Sequence, residues 1–303
     1  YGCNGLLLGV TRGQLDGTMA PPVRYVAQAL TEWARRQRFD REGPVRCWIS
    51  RSPRMDFRRC QEPGVLDVLT EGRPGTMEDH SSSHSGAGAL MTGAAAALFY
   101  APGRLHRKEI PRLAAEAAAL THGDPLAFLP GAAIAHIITR CLHDHESTLR
   151  QIIEEALTAL DDQFGREYRQ TAQVIGCVRN TLKLVDDFSV FPVDAMERLK
   201  CDTGADILAG AVYAALVYER DFDSAMIVAA NHSGRSAAVG CVAGAILGAR
   251  CGEEALPDFY MEGLEISTVL LELADDLLQG CPMVKGNKLF DGDWDRKYLH
   301  GEP

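Results

Sequence analysis

Apolar residues return along this chain at three- and four-residue steps far more often than at alternate positions. In residues 23–37, VRYVAQALTEWARRQ, Val23, Val26, Leu30 and Trp33 fall on one stripe of a helix. The same period marks 110–120, 126–142, 149–163, 165–185, 205–219, 222–230, 237–250 and 264–279. Runs of the strand type are scarce, so the pattern predicts an all-α protein, a compact multi-helix bundle. Pro21 and Pro22 suit the first turn of a helix, where the missing N–H has no partner to lose. Ser147 is expected to cap the helix that begins at Leu149, and Asp223 the helix through SAMIVAA. Between about 40 and 88 the chain is polar, weakly periodic and rich in Arg, Pro, Gly and Ser. It reads as a loop-rich insertion in a single domain spanning 1–303.

Small residues refine this picture. Gly240, Gly244 and Gly248 stand four residues apart and predict a smooth ridge for the close approach of a neighbouring helix, as does GAAAAL at 93–98. His143-Asp144-His145-Glu146 reads as a polar interhelical turn, because two histidines two residues apart point in different directions on a helix. Asp186-Asp187 and Asp275-Asp276 read as solvated faces of amphipathic helices.

Composition then narrows the class. With 46% hydrophobic residues in 303, the chain can bury a sizeable core. It shows no signal-peptide pattern and, by eye, no apolar run of the roughly 18 residues a membrane span needs, so a soluble protein without a membrane partner is expected. The net charge is −10, the pI is about 5.4, and no Lys/Arg stripe stands out, which sets nucleic acid aside as a partner. The nine cysteines form no Cys-x-x-Cys pair, and Cys177 and Cys241 sit in apolar runs. That usage points to a reducing, cytoplasmic setting and away from a disulfide framework or structural zinc.

The segments GADILAGAVYAALVYERDFDSAMIVAANHSG and RSAAVGCVAGAILGARCGEEALPDFYMEGLEISTVLLELADDL, in order and spacing, resemble the C-terminal half of the ADP-ribosylglycohydrolase family. That family includes the dinitrogenase reductase-activating glycohydrolases. Upstream, LAAEAAALTHGDPLAFLPGAAIA is similar to its Leu-Thr-His-Gly-His-Pro junction, and SGAGALMTGAAAALFY to its Gly-Cys-Gly-x-x-Met-Arg loop and helix. GLLLGVTRGQLDG resembles its opening helix, and WDRKY its ending. The resemblance implies an all-α orthogonal bundle. It also implies hydrolysis of the glycosidic bond between ADP-ribose and a protein side chain or small molecule, assisted by two magnesium ions on carboxylates.

Those carboxylates are absent from the matching positions. Aligned on NHSG and GCVAGAILGA, the C-terminal metal loop reads Gly234-Arg235-Ser236-Ala237-Ala238, with Arg235 and Ala237 where aspartates belong and Ala238 where a hydroxyl belongs. The N-terminal Thr-Asp-Asp-Thr positions fall on Gly17-Thr18-Met19-Ala20, leaving Asp16 as the nearby acid. The family's intervening loop, which brings a proposed general acid or base, is also absent. Hence no magnesium or other cofactor is expected.

The ligand-binding candidates that the resemblance leaves are Ser85, Gly86, Gly88, His122, Gly123, Asn231, His232, Ser233, Gly234, Arg235 and Ser236. Ser85-Gly86-Ala87-Gly88 is open to two readings, a backbone cradle for a diphosphate or a tight turn. His122 either meets a ribose or turns the chain, and Arg235 either pairs with phosphate or with a nearby acid. A pseudoenzyme that binds ADP-ribose or a nucleotide-like ligand is the leading expectation. The alternatives are metal-independent chemistry with Asp16, His122 or Asp124 moving protons, and a protein-interaction module presenting the Arg-rich 45–60 segment with Trp48 and Phe57 as anchors.

Overall fold

The computed structural model describes residues 1–55, 57, 64–71, 73–99, 106, 108–284 and 290–303. Cys60, Arg58 and Arg59 of the Arg-rich segment lie outside the described residues. Among the described residues there is no β-strand, in keeping with the all-α expectation. By internal contacts the chain divides into two compact units, one made of Tyr1–Pro74 and Gly263–Pro303, the other of Gly75–Glu262.

In the first unit α1 (Gly2–Asp16) is apolar around most of its girth and buries Leu6, Leu7 and Leu8. It lies close on α2 (Pro22–Gln37) because Gly5 lacks a side chain: a Cβ there would stand 2.4 Å from the Tyr25 carbonyl. The short α3 (Val65–Thr70) covers Ala34 with Val65 and Leu69. The C-terminal part adds α14 (Ser267–Gln279) and α15 (Gly292–Asp295), which runs on into a π-helical turn at Arg296–His300. Helices α4 to α13 belong to the second unit.

Two buried carboxylates tie the first unit together. Glu32 on α2 accepts the amides of Arg46 at 2.8 Å and Cys47 at 3.2 Å and the Ser50 hydroxyl at 2.5 Å. Asp276 on α14 accepts the Tyr298 hydroxyl at 2.6 Å and the Lys297 ammonium at 3.1 Å. The expectation of a solvated Asp275-Asp276 pair is therefore half corrected: Asp275 is exposed, but Asp276 is 8% exposed because its partners come from 21 residues further along the chain. Trp48 is also corrected as a partner-facing anchor, since it is 3% exposed and lies under the Lys297 ammonium, 5.1 Å from its ring centre. The end of α2 is a Schellman turn, with the Phe39 amide on the Arg36 carbonyl and the Asp40 amide on the Arg35 carbonyl. The left-handed position usually given to glycine holds Phe39, at φ 61°.

The second unit holds α4 (Gly88–Leu98), α5 (Glu109–Ala119), α6 (Pro125–His143), α7 (Leu149–Phe164) and α8 (Gln170–Val185). It continues with α9 (Pro192–Leu199), α10 (Gly204–Val217), α11 (Phe222–Ala230), α12 (Ser236–Cys251) and α13 (Asp258–Glu262). α6 is its centre, packed by α4, α5, α7, α10 and α12. The backbones of α4 and α6 touch at Gly93, where a Cβ would lie 2.6 Å from the Gly131 carbonyl. Contrary to the expectation of no long apolar run, α6 is by length and its mean hydropathy of 1.4 long and apolar enough to cross a membrane. His136 and Arg140 interrupt the run to the eye, and 72% of the window is buried inside the protein, as in a core helix.

Several local expectations shift by a residue or two. Thr148, not Ser147, caps α7, through a reciprocal pair with Gln151, while Ser147 donates to Asp144 at 2.9 Å. Asp221, not Asp223, caps α11, and Asp223 accepts the Tyr260 hydroxyl at 2.7 Å. α8 starts at Gln170 rather than 165, because Glu167 and Tyr168 turn back onto Phe164. The Gly240, Gly244, Gly248 ridge is corrected too: among the described residues nothing lies within 4 Å of a Cβ at Gly240 or Gly248, and Gly244 meets only Met226 and Phe222 at ordinary distance. The described cysteines are free thiols.

Candidate functional site

Four helices of the second unit begin beside one another, and each begins for a local reason. Asp124 caps α6 by accepting the Leu126 amide at 2.8 Å, with Pro125 in the first turn. Thr203 caps α10 by accepting the Asp206 amide at 3.3 Å, and the Asp206 carboxylate in return accepts the Thr203 amide at 3.2 Å. α4 follows Ser85-Gly86-Ala87, and α12 follows Arg235, both without a side-chain cap. Backbone bonds bring the starts together. The Ser85 carbonyl accepts the Gly204 amide at 2.9 Å, the His84 carbonyl the Asp124 amide at 3.4 Å, and the Cys201 carbonyl the Arg235 amide at 2.9 Å. Gly204 permits this, since a Cβ would lie 2.7 Å from the Leu126 carbonyl.

A helix start carries unpaired N–H groups and partial positive charge. At α6 and α10 the carboxylates of Asp124 and Asp206 offset that charge, whereas at α4 and α12 no capping side chain does. The arrangement can thus receive an anion beside Ser85, Gly86 and Gly88, whereas at α12 the amides of Arg235, Ser236 and Ala238 already serve the carbonyls of Cys201, Gly234 and Arg235, which leaves the Arg235 guanidinium as the cationic group there. Next to it, His80, Ser82, Ser83, Gly123, Asp124 and Gln170 line an open cavity of about 480 Å³.

The loop 231–236 is held by its own polar groups. The His232 Nδ1 accepts the Gly234 amide at 3.1 Å, which leaves Nε2 as the donor to the Ala229 carbonyl at 3.0 Å. Both ring nitrogens are thereby used in a neutral imidazole. Asn231 donates back to Ile227 at 2.6 Å and ends α11. Ser233 gives its amide, at 2.8 Å, and its hydroxyl to Glu197 of α9, and these bonds hold the Glu197 carboxyl below its ordinary range. Gly234 fits under the preceding turn, since a Cβ would lie 2.3 Å from the Lys200 carbonyl. That turn is strained, with Lys200 at φ 62° and Cys201 at φ 50°. Burial pushes the Cys201 thiol up to about 12.

Arg235 reaches Asp202, Nε to Oδ1, at 3.5 Å, with side chains 48% and 76% exposed. Of the two readings of Arg235, the pairing with an acid is therefore present. Such an exposed pair is weak and exchangeable. Magnesium asks for several oxygen ligands in octahedral geometry. A guanidinium at Arg235 and the methyl groups of Ala237 and Ala238 offer none, and the acids Asp202, Asp206 and Glu197 are engaged by Arg235, Thr203 and Ser233. Among the described residues no three His, Cys, Asp or Glu side chains are grouped to hold a metal.

His122 is buried, with Nδ1 2.7 Å from the Thr121 hydroxyl and its ring edge-on to His84. Gly123 faces the 80–84 segment, where a Cβ would stand 2.2 Å from the Ser82 carbonyl. Asp16 belongs to the first unit, exposed at the end of α1, before Gly17 in the left-handed conformation. At the N-terminal motif positions Met19 packs over Gly9 and Gly13. Sequence reasoning did not single out Glu197, Asp202 or His84. A carboxylate close to the strained Lys200-Cys201 turn was the available signal for the first two, but the strain itself is invisible in the sequence.

Comparison with known proteins bears on the family and the fold. The family model described as ADP-ribosylglycohydrolase matches residues 6–286. A solved structure titled "ADP-ribosylglycohydrolase-related protein complex" resembles the chain with a TM-score of 0.52 and 21% identity, over 92% of this chain and 95% of that one. At that identity the likeness speaks for the fold. No curated protein matches.

Proposed function

Since the chain belongs to the ADP-ribosylglycohydrolase family, we propose that it binds an ADP-ribosyl or nucleotide-like ligand without the two-magnesium hydrolysis of that family, as a pseudoenzyme. The observation that carries this reading is the guanidinium of Arg235 at the start of α12, where the family resemblance calls for a metal-binding carboxylate. A ligand diphosphate brings charge of the sign this place now favours. Its oxygens take the amides at the start of α4 and draw the Arg235 side chain from the exposed Asp202 into a charge-assisted bond. The adjoining cavity, bounded by Gly123 and Asp124, has room for the rest of such a molecule. The free thiols suit a cytoplasmic setting.

The test is calorimetric titration with ADP-ribose, with and without magnesium, followed by analysis for turnover of an ADP-ribosylated peptide. The reading expects binding that magnesium does not change, no turnover, and an affinity lowered about tenfold by Arg235→Ala. Magnesium-dependent turnover overturns it. Turnover that ignores magnesium transfers the case to Asp124 and His122 as proton-moving groups.

A further inference from the structure

The end of α2 gathers cationic and aromatic side chains that the ligand site does not use. Seven arginines fall between residues 35 and 57, against the three acids Asp40, Glu42 and Asp56, in a chain whose net charge is −10. Folding joins what the sequence spreads over two segments. The Arg35 guanidinium donates to the Pro44 carbonyl at 2.9 Å, Arg36 to Ser50 at 2.5 Å, and the Gln37 amide to Phe57 at 3.3 Å, so that residues 44–57 wrap the helix end. Arg38, Arg41, Arg46, Arg51 and Arg54 are exposed there, Arg38 paired with Asp67 and Arg51 donating to the Gly301 carbonyl at 3.1 Å.

Two aromatic rings stand among them in solvent, Phe39 at 59% exposure and Phe57 at 61%. Phe39 is the more informative. It occupies the left-handed position of the Schellman turn, at φ 61°, where glycine carries no Cβ penalty. The ring strains its backbone and gains little packing in return, so the fold does not account for it. Arg and aromatic side chains are the types that anchor protein interfaces.

We propose that this end of the first unit is a docking surface for an acidic protein segment bearing apolar side chains. The guanidinium groups offer paired donors that match carboxylates, and Phe39 and Phe57 receive the apolar residues between them. A polynucleotide suits the surface less well. Its phosphates continue in both directions, past the arginines and onto a chain of net negative charge, whereas a peptide's charge can end where the arginines end.

Fluorescence anisotropy tests this with the full chain and three labelled probes: a glutamate–leucine peptide, its lysine–leucine counterpart, and an oligo(dT) of equal length. The glutamate–leucine peptide is expected to bind, with an affinity that falls as salt rises, and the lysine–leucine peptide is not. Phe39→Gly is expected to raise Tm while weakening the acidic peptide about tenfold. The charge reversal Arg46→Glu, at an exposed guanidinium, weakens it by a similar factor and leaves Tm close to the parent. No binding of the acidic peptide, equal or tighter binding of oligo(dT), or unchanged binding in Phe39→Gly overturns the proposal.

Discussion

The buried carboxylates of the first unit and the helix-capping carboxylates of the second work over different distances along the chain. In the first, Glu32 and Asp276 are buried and join segments distant in sequence, Glu32 to residues 46–50 and Asp276 to residues 297–298. In the second, Asp124, Asp206, Asp221 and Asp144 serve amides or hydroxyls two or three residues away and start or end helices. A buried acid that closes a long loop carries tertiary structure, and its loss strands several donors at once. A capping acid carries one turn, and water replaces it at modest cost.

This contrast sets an order of expected effects. Glu32→Ala removes the acceptor of two amides and one hydroxyl, and should lower stability by about 3–5 kcal/mol in urea unfolding. A loss under about 1 kcal/mol would mean that water serves the 46–50 segment equally well. Tyr298→Phe comes next, at about 1–2 kcal/mol near neutral pH. Burial, reinforced by Asp276, raises the Tyr298 phenol above its ordinary value. A raised folded-state pKa contributes stability that is complete below the unfolded value, about 10, and is lost as pH rises beyond it. The parent should therefore lose stability more steeply than Tyr298→Phe above about pH 10. Equal slopes would exclude Tyr298 as the source.

Thr203→Ala tests the second unit and should cost about 1 kcal/mol, while Ser147→Ala, outside the cap, costs less. The smallest effect belongs to Glu197, which is surface-exposed and for which NMR titration of the carboxyl is the suitable readout. Its pKa should lie below that of an ordinary glutamate and return toward it in Ser233→Ala. The stabilising bond is present above the unfolded value and fades as pH falls through the depressed one. An unshifted carboxyl in the parent would dissolve the Ser233–Glu197 link.

The same contrast explains what was legible in the sequence. Helices α5, α6, α7, α11 and α12 lie within a residue or two of the periodic runs, because their apolar stripes and breaks are local. Caps were harder: Ser147 and Thr148 are adjacent and chemically alike, and the reciprocal bond with Gln151 decides between them. α9 went unnoticed because it buries only Ala195 and Met196. Asp276 was misread as solvated because Lys297 and Tyr298 arrive from another part of the chain. At the candidate site, the family motifs located Arg235 and its loop. The bond of Arg235 to the strained turn at Cys201, and the hold of Glu197 on Ser233, depend on backbone angles no motif encodes.

The contact between Gly93 and the Gly131 carbonyl has a mechanical consequence. Any side chain at position 93 would have to push α4 away from α6, because its first carbon would fall on the Gly131 carbonyl. The Ser85 loop precedes α4 and Asp124 caps α6, so a substitution buried in the helix contact would be felt at the helix starts.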